Sequence, residues 1–321
     1  MRLLLPLFFL SITGAAMFAQ EYPTKPVRII EPFGAGGGPD IVARAISPKL
    51  SELWGQRVTV ENHPGAGSTE APAIVAKSPA DGYTLLVNTS AQAYIAAFVK
   101  NLPYDPLKDF IPVAPLTSQP YVLVTGKTSG ITTVRELIAK AQAKQGQLAF
   151  GSTGVGTGSY VGVQKFNVEA GIKGLHVPPE PGDAITDVIA STVAGRSTYM
   201  VAPIPFALAD IRAGKLQALG VTTKKRSTLL PEVPTISEAG LSGFDYPIWY
   251  GIWVPSGTSA AGVEKLGKDI ARALAAPDLR DELAKHGAEP LSMTQTEFAH
   301  FVLTESESAT RIMKAAETTP Q

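Results

Sequence analysis

Residues 31–40 read Glu31-Pro-Phe-Gly-Ala-Gly-Gly-Gly-Pro-Asp40 and connect two segments of different character. The β-branched run before them, residues 27–30, predicts a buried strand, and near-helical spacing of apolar residues after them predicts a helix over 41–53. Glycines allow positive φ angles and a close approach of a ligand to the backbone. Amide groups at the start of a helix favour an anion. The segment therefore predicts an anion-binding turn, with a plain strand-to-helix connection as the alternative.

A second turn of the same kind follows the predicted strand 147–150. It reads Gly151-Ser-Thr-Gly-Val-Gly-Thr-Gly-Ser159 and opens another predicted helix. Strand and helix signals alternate through the whole chain, which favours an α/β fold with mainly parallel sheets flanked by helices. Further strands are predicted at 83–87 and 121–125, and the first of these runs into Asn88-Thr-Ser90. Ligands bind beyond the carboxyl ends of strands in such folds, so two glycine-rich turns predict two lobes that face one another.

The composition excludes several classes of partner and chemistry. The 321 residues contain 28 basic and 28 acidic side chains without a polybasic run, which argues against a nucleic acid or an anionic membrane surface as partner. The absence of cysteine excludes disulfides, thiol catalysis, cysteine-ligated metals and a cysteine-linked lipid anchor. We therefore expect no metal and no cofactor that depends on such ligands.

The beginning of the chain has the pattern of an export signal. Met1-Arg2 is followed by an apolar segment over 3–12 and by small residues up to Ala19. We expect cleavage after Ala19, with Ala16 as the alternative, so that residues 1–19 form a signal peptide. No other window is long and apolar enough to cross a bilayer. The sequence therefore predicts an exported, periplasmic protein that is not inserted in the membrane.

No arrangement of residues typical of catalysis is present. The four histidines lack metal-ligand spacing, and no G-x-S-x-G motif occurs. Residues 151–159 lack the spacing and the ribose-binding acid of a dinucleotide site. Asp40 and Asp183 are possible acids or bases, although Asp at a helix start is normally a cap. The pattern favours binding over catalysis.

Several motifs together resemble the Bug-type receptors, the periplasmic solute-binding proteins of tripartite tricarboxylate transporters. The resemblance runs from about Tyr22 to the C-terminal helices. The motifs that carry it are Tyr22-Pro-Thr-Lys-Pro-Val-Arg-Ile-Ile30, Pro32-Phe-Gly-Ala-Gly-Gly-Gly-Pro-Asp-Ile-Val-Ala-Arg44, Val60-Glu-Asn-His-Pro-Gly-Ala-Gly67, Asp81-Gly-Tyr-Thr-Leu-Leu86, Leu102-Pro-Tyr-Asp-Pro-Leu-Lys-Asp-Phe110, Gly151-Ser-Thr-Gly-Val-Gly-Thr157, Ala213-Gly-Lys-Leu-Gln-Ala-Leu219 and Leu230-Pro-Glu-Val-Pro-Thr235.

The resemblance implies a two-lobed periplasmic binding protein of the type II-like class, with the ligand cleft between the lobes. By analogy, residues 20–122 and 248–321 form the first lobe and residues 123–247 the second. The chain crosses between them near Tyr121 and Trp249, which would act as hinges. The expected partners are a small carboxylate and the membrane permease subunits, and the receptor is expected to be a monomer.

The resemblance also implies the binding residues. In the family, backbone amides and hydroxyls of the two glycine-rich turns hold one ligand carboxylate. A few such bonds suffice without Arg or Lys, because a hydrogen bond to a charged group contributes roughly 1.5–3 kcal/mol. The matching positions are Phe33, Ala35, Gly36, Gly37, Asp40, Thr89, Ser90, Ser152, Thr153 and Thr157, with Pro178 and Ala202 on the pocket wall.

Two departures from the family bear on the ligand. Val177-Pro-Pro-Glu-Pro-Gly182 and Met200-Val-Ala-Pro203 replace segments that are more polar in many relatives. A hydroxylated acid such as citrate would leave polar atoms unpaired against this wall, at about 1–3 kcal/mol per group. We therefore predict an aromatic mono- or dicarboxylate. Phe33, Tyr94 and Tyr199 are candidate stacking partners, although each also suits the core.

Two alternatives to a transport receptor remain open. The first is a secreted α/β hydrolase that acts on carboxylated compounds through Asp40 or Ser152. The second is a solute receptor that serves a signalling partner instead of a permease. Turnover of a bound ligand would favour the hydrolase.

Overall fold

The computed structural model describes residues 22–65, 68–180 and 184–316, and the predicted signal peptide, Asp183 and Gly182 lie outside the described residues. Strands and helices alternate as the sequence predicts. The strands are β1 Val27–Glu31, β2 Val58–Asn62, β3 Thr84–Thr89, β4 Phe110–Gly126, β5 Ala149–Gly151, β6 Leu175–Val177, β7 Tyr199–Pro203, β8 Leu216–Val221, β9 Pro247–Pro255 and β10 Glu289–Pro290. The helices are α1 Gly38–Trp54, α2 Glu70–Ala76, α3 Ala91–Tyr94, α4 Val134–Ala143, α5 Gly158–Glu169, α6 Ile185–Val193, α7 Ile204–Arg212, α8 Ile236–Ala239, α9 Ala260–Leu274, α10 Pro277–Lys285 and α11 Gln295–Ala315.

The strands form one curled sheet in the order β2-β1-β3-β9-β4-β7-β5-β6, with β8 and β10 both paired to β4. The first part of β4 pairs with β9 and β10, and its second part pairs with β7 and β8. On one side of the sheet, β1 pairs with β2 and β3 in parallel. On the other side, β5 pairs with β6 and β7 in parallel. The long strands β4 and β9 are antiparallel to their neighbours. They form the bridge between two halves that each have a parallel sheet.

The strand β4 starts earlier than the sequence predicts. The sequence predicts a strand that begins at Tyr121, whereas β4 begins at Phe110 and contains three prolines. The pairing with β9 shifts register between Pro112 and Ala114 and again between Pro115 and Thr117. Such bulges accommodate residues that cannot donate to the ladder. The prolines are therefore the reason why the first part of β4 was not predicted as a strand.

The chain passes between the halves near Tyr121 in β4 and near Tyr246 before β9. Thr222 forms hydrogen bonds to both segments. The Thr222 amide donates to the Tyr121 carbonyl over 2.9 Å, and the Tyr121 amide donates to the Thr222 hydroxyl over 2.9 Å. The Tyr246 amide donates to the Thr222 carbonyl over 2.7 Å. Thr222 has no exposed surface. These bonds hold the start of β9 beside the middle of β4, close to the predicted hinges.

The core extends through both halves. On one side of β9, the rings of Trp249 and Trp253 pack on Phe298 of α11, with Trp249 and Phe298 5.7 Å apart. This packing leaves the other side of the β4–β9 pair to face the glycine-rich turns. Among the described residues, no helix is both long and apolar enough to span a bilayer.

Candidate functional site

The first glycine-rich turn joins β1 to α1. The Gly37 amide donates to the Gly34 carbonyl over 2.9 Å, and Gly36 has a φ of 82°. Gly37 itself is extended, with a ψ of 162°, and Gly38 is the first residue of α1. A positive φ of this kind favours glycine.

The second glycine-rich turn, between β5 and α5, has the same backbone. The Thr157 amide donates to the Gly154 carbonyl over 3.2 Å, Gly156 has a φ of 81°, and Thr157 has a ψ of 162°. Gly158 is the first residue of α5. The two turns are thus one conformation used twice, each at the end of a parallel strand and the start of a helix.

Both turns keep amides without a hydrogen bond in the described part of the chain. In the first turn these include Ala35 and Gly38, and in the second they include the corresponding Val155 and Gly158. Unpaired amides beside a helix N-terminus attract negative charge. The pair of turns is therefore suited to an anion.

Buried carboxyl groups hold the first turn in shape. The amides of Phe33 and Gly36 donate to the carboxyl groups of Glu31 and Asp40, over 2.9 and 2.8 Å. Asn62 donates to both carboxyl groups, and Arg44 Nε donates to Asp40 over 2.7 Å. Burial raises the pKa of Glu31 to about 8, against the lowering effect of the bonds from Phe33 and Asn62. Glu31 and Asn62 were not predicted, and the Asp40 carboxylate stabilises the turn.

Hydroxyl groups hold the second turn. Ser159 Oγ accepts from the Thr153 amide over 3.0 Å and lies 3.0 and 3.2 Å from the hydroxyls of Thr153 and Thr157. Ser152 Oγ accepts from the Gly154 amide and shares a 2.8 Å hydrogen bond with His176 Nε2. The His176 ring stacks on Phe150, and burial lowers its pKa to about 4. Ser159 and His176 were missed by the sequence analysis.

A chain of hydroxyl groups connects the two halves. The buried Ser90 Oγ lies 3.1 Å from the Tyr94 hydroxyl, which lies 3.3 Å from the Tyr246 hydroxyl. Tyr246 donates to the Gly158 carbonyl over 2.9 Å, at the start of α5. Thr89, next to Ser90, accepts from the Ala91 amide. The end of β3 is therefore connected to the second turn by hydrogen bonds through the hydroxyls of Tyr94 and Tyr246.

The remaining predicted positions differ in exposure. Pro178 is exposed, whereas Ala202 is wholly buried in β7. Of the three candidate stacking rings, Phe33 is half-buried, while Tyr94 and Tyr199 lie in the core. Tyr199 donates to Asn167 over 2.9 Å. Only the Phe33 ring has substantial exposed surface for a ligand.

Two tyrosines at the site were not predicted as ligand contacts. A Cβ atom at Gly38 would lie 2.2 Å from the Tyr250 hydroxyl, and one at Gly158 would lie 3.2 Å from the Tyr121 hydroxyl. Each turn therefore has a tyrosine hydroxyl against the first residue of its helix. Tyr250 lies in the aromatic segment 245–255, and the composition of that segment does not show which side of the strand the ring takes.

A cavity of about 200 Å³ lies on the α11 side of the crossing, with Lys165, Tyr246, Glu305 and Ala309 in its wall. It contains no residue of either turn. Within residues 22–65, 68–180 and 184–316, no group of His, Cys, Asp and Glu side chains is arranged for a metal ion.

Comparison with known proteins agrees with this architecture. A family model described as "Tripartite tricarboxylate transporter family receptor" matches residues 42–317. BugT of Bordetella pertussis is 32% identical over 302 residues, which cover 92% of this chain and 91% of BugT. The structure of R. palustris Rpa4515 with adipate has a TM-score of 0.84 at 29% identity, over 94% of this chain and 100% of that one. The periplasmic binding protein BugD has a TM-score of 0.81 at 27% identity, also over 94% and 100%.

These similarities confirm the predicted α/β, two-lobed periplasmic binding protein fold and the predicted family. The family model covers residues 42–317, and the two superposed structures each cover 94% of the chain. This chain belongs to the tripartite tricarboxylate transporter receptor family, which includes the Bug-type proteins.

Proposed function

We propose that this protein is a periplasmic receptor that binds a small carboxylate between its two glycine-rich turns and delivers it to the membrane permease of a tripartite transporter. The pair of matching turns with unpaired amides carries the proposal. Two helix N-termini and several amides offer a negative group more hydrogen bonds than a single turn would. The adipate in a related structure supports a carboxylate ligand.

The binding residues of this proposal are those named from the family pattern, with a change of role for some. Ala35 has an unpaired amide, whereas the amides of Phe33, Gly36 and Gly37 already have partners in the turn. We propose that these three shape the site and that the acid approaches Ala35. The lobe boundaries at residues 122–123 and 247–248 also remain part of the proposal.

We further propose an aromatic acid as the preferred ligand. The half-exposed Phe33 ring and the exposed Pro178 provide flat apolar surface near the turns. Adipate is a linear aliphatic dicarboxylate, so aliphatic diacids are the natural competitors in any test.

One observation favours the hydrolase as a second candidate. Ser152 and His176 share a hydrogen bond of 2.8 Å, as a nucleophile and its base would. However, Ser152 has no exposed surface, and His176 has no hydrogen bond to a third group in the described part of the chain. A Ser152→Ala variant that abolishes measured turnover of a bound acid would establish the enzyme instead of the receptor.

A thermal-shift panel tests the receptor proposal. Benzoate, terephthalate, adipate and citrate are added to the protein without its signal peptide. An acid at 100 times its dissociation constant stabilises the fold by about 2.7 kcal/mol and raises the melting temperature. We expect the largest shift with an aromatic acid, and no shift with any acid would contradict the proposal.

The matched variants are Gly36→Ala and Gly243→Ala. Both glycines have a φ near 80° and open space around a new Cβ, so both changes impose similar backbone strain. Only Gly36 lies in one of the two glycine-rich turns. We expect the ligand-induced shift to vanish in Gly36→Ala and to persist in Gly243→Ala.

A further inference from the structure

One face of the β4–β9 pair presents polar side chains towards the two turns. Side chains alternate along a strand, so Thr117, Gln119 and Tyr121 of β4 share a face with Ile248 and Tyr250 of β9. A Cβ at Gly158 would approach Ile248 and Tyr121, and a Cβ at Gly38 would approach Tyr250. This face, which we call the tyrosine face, therefore lies against the first residues of both α1 and α5.

The tyrosine face contains hydrogen-bonding groups without partners. Tyr121 is 6% exposed, yet its hydroxyl makes no hydrogen bond in the described part of the chain. Tyr250 is 2% exposed, and its hydroxyl accepts from Gln119 Nε2 over 2.7 Å. That bond uses one lone pair of the oxygen, and the Tyr250 hydroxyl donates no hydrogen bond within the described part of the chain. Thr117 Oγ1, opposite Tyr250 in the pairing, is also buried without a partner.

A fully buried polar atom without a partner, such as Thr117 Oγ1, is rare because it costs about 1–3 kcal/mol. We propose that the hydroxyls of Tyr121 and Tyr250 donate hydrogen bonds to one carboxylate group of the ligand, each from beside the first residue of one turn's helix. The inference rests on the proposed function and assigns the contacts that give it affinity.

The electrostatics of the tyrosine face suit this role. Burial raises the pKa of Tyr250, and burial together with the nearby phenols of Tyr250 and Tyr94 raises the pKa of Tyr121. Both hydroxyls therefore keep their protons at neutral and moderately alkaline pH and remain donors. The twofold arrangement, one tyrosine for each turn, allows each carboxylate oxygen to accept one phenol proton while the free amides of Gly38 and Gly158 lie nearby.

Phenylalanine variants test the assignment, because they remove the hydroxyl and keep the ring. The protein without its signal peptide, Tyr121→Phe, Tyr250→Phe and the control Tyr104→Phe are titrated calorimetrically with benzoate, terephthalate and adipate. Tyr104 is also buried, at 7% exposed, but its ring packs on Phe110 away from the turns. Near-UV circular dichroism records the tyrosine signal in the same titrations, and unliganded melting temperatures show that each variant folds.

We expect Tyr121→Phe and Tyr250→Phe each to weaken the affinity for the acid roughly 10- to 100-fold, the loss expected for one hydrogen bond to a charged group. Tyr104→Phe should bind like the wild type. If the wild type binds an acid and both folded variants bind it equally well, the tyrosine assignment is wrong and the receptor function stands. If the wild type binds none of the acids, both proposals are overturned.

Discussion

Glu31 is a carboxyl group with no exposed surface at the base of the first turn. It accepts hydrogen bonds from the Phe33 amide and from Asn62, and these bonds fix the direction in which the turn leaves β1. Its partner in the turn, Asp40, does the same for the Gly36 amide. At the scale of single residues, the carboxyl groups of Glu31 and Asp40 therefore fix the backbone of the glycine-rich turn. They act on the turn and do not need to contact the ligand. Burial raises the pKa of Glu31, so this side chain makes the stability depend on pH.

The first prediction concerns Glu31. The folded state keeps its proton up to about pH 8, whereas an unfolded glutamate loses it near its ordinary pKa of 4.5. The stabilisation is therefore complete below pH 4.5 and is lost as the pH rises towards 8, by at most about 1.4 kcal/mol per pH unit. Urea unfolding of the wild type and Glu31→Gln at pH 5, 6, 7 and 8 measures this loss.

We expect the Glu31→Gln stability to change less over this range than that of the wild type, because glutamine has no proton to lose. The exposed Glu264→Gln is the control and should follow the wild type. Parallel pH curves for the wild type and Glu31→Gln would show that Glu31 is ionised in the folded protein.

The second prediction concerns His176, whose effect on the pH dependence of stability has the opposite sign to that of Glu31. Burial lowers its pKa from 6.5 to about 4, so its contribution is present above pH 6.5 and is lost as the pH falls through 4. A His176→Gln variant should lose less stability than the wild type between pH 6.5 and 4. The Glu31→Gln background separates the two effects where their ranges overlap. An unchanged pH dependence in His176→Gln would contradict the assignment.

At the scale of elements, the sequence predicted the parts whose signals are local. Both turns were found because glycine clusters stand between a β-branched strand and a helix-forming segment. The start of β4 at Phe110 was missed, because prolines argue against a strand unless bulges accommodate them. The pairing of Tyr250 with Gln119 was also missed, since it joins residues 131 positions apart and depends on the register of β4 and β9. Long-range register, not local propensity, places the tyrosines at the turns.

The third prediction tests the contact between an element and its turn. Alanine at Gly38 would favour the helix by propensity, but its Cβ would lie 2.2 Å from the Tyr250 hydroxyl. Because overpacking typically costs about 1–3 kcal/mol, we expect Gly38→Ala to lower the free energy of unfolding by that amount and to weaken acid binding. Urea unfolding and calorimetric titration measure the two effects.

A second change in the same variant separates packing from binding. Tyr250→Phe removes the clashing oxygen, so the double variant should regain much of the stability but not the affinity. If Gly38→Ala is as stable as the wild type and binds acid equally well, Tyr250 does not lie against this turn.

At the scale of the whole molecule, hydrogen bonds of Thr222 and Tyr246 connect the two halves where the chain passes between them. Thr222 ties β4 to the segment before β9, and Tyr246 links Tyr94 of one half to Gly158 of the other. These bonds are buried, and we predict that any relative movement of the halves pivots close to them. The turns lie on one side of this crossing, and the cavity beside α11 lies on the other.

The fourth prediction concerns this crossing. Thr222→Val keeps the shape of the side chain but leaves the buried Tyr121 amide without its acceptor. We expect a loss of about 1–3 kcal/mol in the free energy of unfolding, measured with urea. Thr222→Ser retains the hydroxyl and should lose clearly less. Equal stability of the valine variant and the wild type would show that this bond does not support the crossing.

A crystal structure of the protein with the acid that gives the largest thermal shift tests the central proposal most directly. We expect one carboxylate between the two glycine-rich turns, within about 3 Å of the hydroxyls of Tyr121 and Tyr250. An acid bound instead in the cavity between Lys165 and Glu305, with the turns empty, would contradict it.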